Sequence, residues 1–387
     1  MSSKVKKFPT VLQVLPSLNG GGGVERGTVE IAEAIYKVGG EAIVVSSGGD
    51  LENTLKRHRA QHIRLPVHKK SLFTILANIR RLRKIIREHK VQIVHARSRA
   101  PAWSAYYAAR REGVPFVTTF HGTYGLFGPF KKWYNRIMVR GDRVIANSKF
   151  IAGHIKENYE VPQKNLKIIQ RGVDTDLFDP TKTKVERFVQ LANKWNIPDG
   201  KRIILLPGRL TRWKGQETLI KALMHMETSD LCCIFLGSDQ GRSEYTKELI
   251  LLAQISNLGD VVKFVGNCDD MTSAYMMADV VVSASTDPEA FGRVIAEAQA
   301  MGRPVIATNH GGALEIIKDG ITGWFVPPYD PERLAEKLQK ALALPNYKRE
   351  ELKKEARDHI LKNFTKEAMC KKTLAIYKEL AASGKRK

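Results

Sequence analysis

The chain has 387 residues and a mass of 43.5 kDa, with 43% apolar and 27% charged residues. This ordinary globular composition excludes wholesale disorder and fibrous repeats, and the length favours two domains with sizeable cores. Lys and Arg outnumber Asp and Glu by 63 to 40, so the net charge is +23. Such a surplus predicts an anionic partner: nucleic acid, an anionic membrane or phosphorylated ligands.

The positive charge is concentrated in the first half. Residues 1–180 carry 31 basic and 14 acidic side chains, whereas residues 181–387 carry 32 and 26. The four cysteines show no CxxC spacing, which disfavours a zinc site and a disulfide framework and fits a reducing cytosol. We expect no signal peptide and no membrane-spanning helix, because no apolar run has the length that either requires.

Strand-like and helix-like segments alternate through the first half. A buried strand is predicted at 10–15, followed by a glycine loop, a helix from about 24 to 38 and a strand at 41–47. Further strands are predicted at 91–95, 116–120, 143–147 and 166–170. Short β-branched runs of this kind suit a parallel sheet that helices cover on both faces.

The alternation restarts in the second half, after a cluster of turn residues between 171 and 199. Strands are predicted at 202–207, 232–237, 261–266, 280–283 and 304–308, and the segment 347–380 is helical and charged. Two successive βα series predict an α/β protein with two Rossmann-like, doubly wound domains.

One predicted helix, at 71–90, is strongly basic. Its apolar residues recur at helical spacing, and the rest of the helix carries six Lys or Arg side chains and one Glu. This helix either covers the sheet with a solvated basic face or docks that face on anionic lipid. Trp133 and Tyr134 stand among basic residues at 131–140, a second stretch of interfacial character.

Two segments of the first half point to a ligand. The loop at 19–26 has four consecutive glycines, which let a phosphate or a sugar approach the backbone closely. It is not a GxGxxG loop, and no acid-ended second strand supports a nicotinamide cofactor. His121 follows the predicted strand at 116–120, at the sheet edge where open α/β folds bind ligands. A lone histidine is more often structural, but this position favours a functional role.

Two segments of the second half point to a diphosphate. Arg209 and Lys214 lie between a buried strand and a helix, where Arg offers phosphate a rigid fork and Lys a point charge. Glu289 and Glu297 are eight residues apart, roughly 12 Å along a helix axis, which is about the span from sugar to ribose in a nucleotide sugar. A helix N-terminus between them suits a diphosphate. Taken alone, each segment also has a purely structural interpretation.

Together, these segments resemble the family-4 retaining glycosyltransferases of the GT-B fold over nearly the whole chain. The matching segments are the glycine loop with Glu25, the motif from Glu289 to Glu297, and residues 119–122, 171–174, 208–215, 264–266 and 278–279. The resemblance implies two domains facing across a cleft, an acceptor-binding domain at 1–175 and a nucleotide-sugar-binding domain at 176–365. It also implies a C-terminal helix and basic tail at 366–387 that packs back on the first domain.

The resemblance implies a role for each matching residue on the donor side. Glu297 would hold the ribose, and Glu289 would hold the donor sugar together with the backbone of Phe291 and Gly292. Arg209 and Lys214 would neutralise the diphosphate as the bond to the sugar breaks. Residues at 265–267, Val265 and Gly266 among them, lie where the family usually holds the base.

Further implied roles fall on the first half. His121 would hydrogen-bond the donor sugar near the reacting carbon. The loop containing Gly21, Gly22, Gly23 and Glu25 would close over the donor phosphate and the acceptor. One departure from the family pattern is Arg171, which stands where the family commonly has asparagine, so a charge is added there.

The resemblance implies catalysis without an enzymic nucleophile, a metal or a cofactor. In this family the acceptor hydroxyl is thought to attack from the leaving-group face and to pass its proton to the departing phosphate. Arg209 and Lys214 would supply the positive charge that a metal supplies elsewhere. Asp269 and Asp270 are adjacent acids rather than the spaced pair of metal-dependent transferases.

The segment 94–103, together with residues 119–124 and 209–215, looks like a bacterial subgroup linked to lipopolysaccharide core assembly. Arg97 and Arg99 would meet an acidic acceptor such as an inner-core sugar acid or a phosphorylated lipid, or else be merely solvated. The expected protein is a hexosyltransferase, cytoplasmic and peripheral at the inner face of the cytoplasmic membrane. Its expected partners are a nucleotide-sugar donor, an anionic glycan or glycolipid acceptor and an anionic membrane surface.

Two other classes remain open as alternatives. A nucleotide-sugar epimerase of the same fold would keep the donor site but would require extra acids placed to remove a sugar proton. A nucleic-acid-binding protein would show an aromatic-studded basic sheet or a reading helix, and neither is evident. No nucleic-acid partner is therefore expected.

Overall fold

The computed structural model describes residues 8–20, 22–125 and 128–383. Within them, the strands are β1 Val11–Val14, β2 Ala42–Ser46, β3 Gln61–Arg64, β4 Ile93–Ala96, β5 Phe116–Phe120, β6 Arg143–Ala146, β7 Leu166–Ile168, β8 Arg202–Pro207, β9 Leu231–Leu236, β10 Val262–Gly266, β11 Val280–Ser283, β12 Val305–Thr308 and β13 Trp324–Val326.

The α-helices of the same described residues alternate with these strands. They are α1 Gly23–Lys37, α2 Glu52–Arg57, α3 Leu72–Glu88, α4 Arg99–Arg111, α5 Pro129–Asn135, α6 Lys149–Asn158, α7 Val185–Lys194, α8 Gln216–Leu223, α9 Ser243–Ile255, α10 Met271–Met277, α11 Arg293–Ala300, α12 Ala313–Ile316, α13 Pro331–Leu342, α14 Asn346–Asn363 and α15 Lys366–Ser383. In this part of the chain, no helix is both long and apolar enough to cross a lipid bilayer.

The chain divides into two units. The N-terminal unit comprises Met1–Arg171 and Lys366–Lys387, and the C-terminal unit comprises Gly172–Thr365. The division therefore falls between Arg171 and Gly172. The predicted boundary lies a few residues later, after residue 175.

Each unit is built on one parallel sheet. In the N-terminal unit, the seven strands are ordered β3-β2-β1-β4-β5-β6-β7, and in the C-terminal unit the six strands are ordered β10-β9-β8-β11-β12-β13. Both faces of the second sheet are covered, as the alternate side chains of β8 show. Ile204 and Leu206 enter the core on one face, and Ile203 and Leu205 enter the core on the other. The predicted α/β class, with two doubly wound units, is confirmed.

Two strands, β3 and β13, are not predicted from the sequence, and both lie at the edge of a sheet. The side chains of β3, which reads QHIR, are all partly or fully exposed, so no apolar run marks it. The strand β13 is three residues long and too short for a pattern. The other strands lie close to their predicted bounds. Most of them lie in the middle of a parallel sheet and must be apolar on both faces, and the edge strands β7 and β10 keep enough apolar residues to be recognised.

The C-terminal helix α15 belongs to the N-terminal unit. Its Met369, Leu374 and Tyr377 side chains enter the same core as Ile31 of α1 and Ile93 of β4. The Tyr377 hydroxyl also lies 2.6 Å from Nδ1 of the buried His95. The helix thus completes the core of a sheet whose strands lie far earlier in the sequence, with 282 positions between His95 and Tyr377.

The basic helix is present as α3. Its Ile79, Leu82 and Ile86 side chains are buried, as expected of a helix that covers the sheet. Part of its positive charge is compensated, since Arg83 and Arg87 lie 2.6 and 2.7 Å from the carboxylate of Glu112, at the C-terminal end of α4.

Candidate functional site

Most predicted site residues follow the two strands of each sheet between which the order of strands across the sheet reverses. In the first sheet the order reverses between β1 and β4, and in the second between β8 and β11. Loops at the carboxyl ends of such neighbouring strands leave a crevice in which open α/β folds bind ligands. The glycine loop follows β1, Arg97 follows β4, the segment with Arg209 and Lys214 follows β8, and Glu289 follows β11.

In the C-terminal unit, the loop after β8 is held close to the loop after β11. The amide of Thr286 donates a hydrogen bond to the carbonyl of Trp213 at 2.7 Å. Gly215 has φ +74°, and a Cβ there would lie 1.9 Å from the carbonyl oxygen of Ala284, so no other residue fits without displacing that loop. This packing positions Lys214 against the residues that follow β11.

Lys214 and Glu289 form an ion pair between the two loops. The Ser285 hydroxyl donates to Oε1 of Glu289 at 2.8 Å. Burial by itself raises the pKa of Glu289, but the charge and hydrogen bond of Lys214, the Ser285 hydroxyl and the charge of Arg209 together hold it below its usual value. Glu289 is therefore a carboxylate at neutral pH, and both cations lie near it.

Trp213 forms a platform beside these cations. The Lys214 ammonium lies 4.4 Å and the Arg209 guanidinium carbon 5.9 Å from its ring centroid. The side chain of Arg209 also reaches Gln240 at 3.3 Å. Two basic groups held by one aromatic ring present a concentrated positive charge to an anionic ligand.

The turn after Glu289 leads into α11. The amide of Gly312 donates to the carbonyl of Glu289 at 2.8 Å, and a Cβ on Gly311 would lie 2.5 Å from that oxygen. Gly292 has φ +97° and caps α11 without a side chain. The first amides of α11 therefore follow directly on Phe291 and Gly292, in the manner of an anion-binding helix N-terminus.

Glu297 lies inside the C-terminal unit and is 4% exposed. The Tyr275 hydroxyl of α10 donates to its Oε2 at 2.9 Å, and Arg293 lies 3.1 Å from its Oε1. Sequence reasoning does not identify Tyr275, because nothing in the local pattern of α10 distinguishes it from a core aromatic residue. Its hydroxyl fixes the orientation of the Glu297 carboxylate.

Val265 and Gly266 lie at the carboxyl end of β10. This strand is at the edge of the sheet and is separated from β8 by β9. Gly266 has φ +68°, at a register irregularity with β9. The two residues therefore stand at the correct end of the sheet, two strands away from the loop that holds Lys214.

In the N-terminal unit, the predicted glycine loop leads into α1. Gly21 lies outside the described residues, whereas Gly22 caps α1 and Gly23 is its first residue. The Glu25 side chain folds back over Gly22, where a Cβ would lie 1.9 Å from its Oε2. The close approach of this carboxylate thus requires glycine at position 22.

Two arginines lie side by side within this unit. Arg97 follows β4 and is 4% exposed, and Arg171 is 5% exposed. A Cβ on Gly27 of α1 would lie 2.3 Å from Nη1 of Arg171 and 2.9 Å from Nη2 of Arg97. The two guanidinium groups are therefore about 5 Å apart or less, a spacing at which like charges repel. Burial, together with the charge of Arg171, lowers the pKa of Arg97 to about 10.

His121 lies near these arginines. Burial is the main reason why the pKa of His121 is well below its usual value, and the charges of Arg97 and Arg171 lower it further. His95 is fully buried between Tyr377 and Thr119, and its pKa is lowered for the same principal reason. Both imidazoles are neutral at neutral pH. The predicted contact of His121 with a donor sugar stays a prediction.

Arg97 and Arg99 lie in different surroundings, and their predicted contact with an acidic acceptor stays a prediction. Arg99 lies 4.3 Å from the ring centroid of Tyr124 and donates to Asn135 at 3.0 Å. Arg97 instead donates to Gln13 at 3.2 Å and lines a pocket with Arg171. Residues 97 and 99 separate because residue 97 directly follows a strand and residue 99 begins a helix. Among the described residues, no cluster of three His, Cys, Asp or Glu side chains could hold a metal ion.

Comparison with known families matches both halves of the chain. The family model described as Glycosyltransferase Family 4 matches residues 21–177, and the model described as Glycosyl transferases group 1 matches residues 189–359. These two ranges contain the loops that hold the candidate residues of each unit.

Solved structures extend the likeness to the whole chain. A glycosyltransferase from Rickettsia africae ESF-5 is 39% identical, with a TM-score of 0.89, and the match covers 97% of this chain and 99% of that one. HepE from Anabaena, solved in complex with UDP and glucose, is 23% identical, with a TM-score of 0.84 and coverage of 95% and 99%. WaaG, a glycosyltransferase involved in lipopolysaccharide biosynthesis, is 18% identical, with a TM-score of 0.75 and coverage of 95% and 99%.

Proposed function

Because the chain belongs to the family-4 glycosyltransferases of the GT-B fold, we propose that it moves a sugar from a nucleoside-diphosphate sugar to a hydroxyl group of a cell-envelope glycan or glycolipid. The observation that carries the proposal is the joint arrangement of the loops after β8 and β11. They bring Arg209 and Lys214 to Glu289, next to the N-terminus of α11. This is the charge pattern that a sugar diphosphate needs.

In the proposed reaction, the C-terminal unit binds the donor. Glu297, oriented by Tyr275, accepts hydrogen bonds from the ribose hydroxyls, and the first amides of α11 face the phosphates. Lys214 exchanges Glu289 for a diphosphate oxygen when the donor binds. Glu289, released from this ion pair, then accepts hydrogen bonds from the sugar.

The main catalytic effect that we propose is stabilisation of the leaving diphosphate. Negative charge grows on the diphosphate as the bond to the anomeric carbon breaks, and Arg209 and Lys214 neutralise it. The acceptor hydroxyl attacks from the same face and passes its proton to the departing phosphate, so the sugar keeps its anomeric configuration. The two cations take the place of a metal ion in this scheme.

The acceptor class rests on the N-terminal unit. Most of the net positive charge lies in the first half of the chain, and Arg97 and Arg171 are buried in this unit. Both features favour an anionic acceptor. A lipopolysaccharide core intermediate is one such acceptor, and WaaG, which shares the fold, takes part in lipopolysaccharide biosynthesis.

We place the protein at the inner face of the cytoplasmic membrane. Phe73 of α3 is 86% exposed and Phe130 of α5 is 73% exposed. Trp133, next to Phe130, is 52% exposed and tilts against Trp103 at the start of α4. Lys69, Lys70 and the basic residues of 131–136 flank these aromatic side chains. Exposed aromatic rings among basic residues suit the interface of an anionic membrane.

The donor step is tested by titrating the purified chain with UDP-glucose, UDP-galactose and GDP-mannose in a calorimeter and by following nucleotide release. At least one nucleotide sugar should bind and be hydrolysed slowly. The Glu297→Ala variant should bind that donor more weakly, whereas Glu244→Ala, an exposed change on α9, should bind it as the wild type does. A chain that binds none of a wide panel of nucleotide sugars contradicts the proposal.

The membrane step is tested separately, by sedimentation with vesicles that contain phosphatidylglycerol. The variant with Phe73→Ser and Phe130→Ser should sediment less than the wild type. The matched variant with Val189→Ser and Leu251→Ser, which removes exposed apolar side chains from the C-terminal unit, should sediment normally. If both variants lose sedimentation to the same extent, α3 and α5 do not form the membrane contact.

A further inference from the structure

A pocket in the N-terminal unit lies beside the two buried arginines. Arg97, Arg171, His121 and Asn147 line it, and they follow the carboxyl ends of four neighbouring strands, β4 to β7. Of the residues that line it, His121 is partly exposed and the others are buried. The space has room for little more than one small group, such as a carboxylate, and not for a whole sugar ring.

The polar groups of the pocket are incompletely satisfied. In the described part of the chain, Nε of Arg97, Nε2 of His121 and Oδ1 of Asn147 are shielded from solvent and have no hydrogen-bond partner. Arg97 and Asn147 are 4% and 6% exposed. Unsatisfied polar groups of this kind are rare inside proteins, and a ligand that supplies the missing partners explains them.

The charge of the pocket is also unbalanced. Arg97 and Arg171 contribute two positive charges, and Glu30, whose carboxylate is 3.5 Å from Arg171, contributes one negative charge. His95 and His121 are neutral, as described above. Arg97 itself donates to the neutral Gln13 and forms no ion pair with a carboxylate of the described residues, so its positive charge is complemented by an anion with one negative charge.

We propose that this pocket binds the carboxylate of a sugar acid in the acceptor. The proposal rests on the proposed function and specifies its acceptor class. A carboxylate matches the pocket in charge, since it carries a single negative charge, and in size. It is also planar, so the forked guanidinium group of Arg97 can donate two parallel hydrogen bonds to it. Gly27 lets α1 pass close to both arginines and thereby keeps them together.

The test is a titration of the full chain with glucuronate, glucose 6-phosphate and glucose at constant ionic strength. Glucuronate should bind, and glucose should not. Glucose 6-phosphate should bind at least about tenfold more weakly than glucuronate, because its second charge is uncompensated in a buried site. Absence of glucuronate binding, equal binding of glucose, or tighter binding of glucose 6-phosphate overturns the proposal.

Two variants test the arginine pair directly. Arg97→Gln should weaken glucuronate binding by about 10- to 100-fold, the usual effect of losing hydrogen bonds to a charged group. Gly27→Ala keeps both charges but displaces the ends of both side chains, and it should weaken binding as well. Alanine favours the helix, so this variant should fold. Arg110→Gln, an exposed change on α4, is the matched control and should bind like the wild type. Wild-type affinity in both pocket variants overturns the proposal.

The same wild-type sample is titrated with the nucleotide sugars. A chain that binds a nucleotide sugar but not glucuronate overturns the sugar-acid proposal and leaves the proposed function standing. A chain that binds neither overturns both.

Discussion

Replacing Arg97 by glutamine should stabilise the folded N-terminal unit. Burial lowers the pKa of Arg97 to about 10, and a lowering of this size corresponds to about 3 kcal/mol of unfavourable free energy for the charged group. The group is still protonated at pH 7, so this free energy lowers the stability of the wild type there. Glutamine removes the charge, but it is shorter than arginine and gives up the hydrogen bond that Nη1 of Arg97 donates to Gln13.

The expected gain is smaller than the full 3 kcal/mol. Loss of the guanidinium hydrogen bond and of some packing offsets about 1 kcal/mol, so the free energy of unfolding should rise by about 2 kcal/mol. For a unit of this size, the melting temperature should rise by about 4–8 °C. Because the folded-state pKa is lowered, the effect is fully present at neutral pH and diminishes as the pH rises above about 10.

Differential scanning calorimetry at pH 7 measures this change. Arg110→Gln, which removes an exposed arginine paired with Asp142 at 3.2 Å, should shift the melting temperature little. A melting temperature of Arg97→Gln below that of the wild type would refute the reasoning. Arg97 would then be a structural residue whose charge is fully compensated within the fold.

Three further outcomes are expected. Lys214→Ala should lower turnover by about 10²- to 10³-fold in a nucleotide-release assay, and Lys221→Ala, on an exposed ion pair, should not; equal turnover in both variants would exclude Lys214 from the phosphate site. Tyr275→Phe should raise the donor Kd, measured by calorimetry, by about tenfold. An unchanged Kd would show that Tyr275 does not position Glu297 for the donor. The unfolding free energy should fall as the pH drops through about 6.5, because the unfolded chain binds protons that His95 and His121 do not bind when folded. The double variant His95→Asn, His121→Asn should show a smaller fall of the unfolding free energy, measured by urea titration at several pH values. A fall identical to that of the wild type would contradict the role of these two histidines.

Much of the fold can be predicted from the sequence because its determinants are local. Strands in the middle of a sheet, such as β1 and β8, are apolar on both faces and therefore read as continuous apolar runs. The edge strand β3 has no such run, and nothing in its sequence distinguishes it from a loop. The loops with ligand chemistry are also local features: the glycines after β1 and the basic residues after β8 each lie within one short segment.

The sequence alone determined two βα series, a glycine loop, a basic loop and a spaced pair of glutamates, because each depends on residues close together in the chain. Only the tertiary structure decided which distant side chains meet. Arg97 lies beside Arg171, Tyr275 orients Glu297, and α15 completes the N-terminal core at His95. Such contacts depend on how helices pack on the sheets and on where small residues such as Gly27 leave room, and no local pattern encodes them.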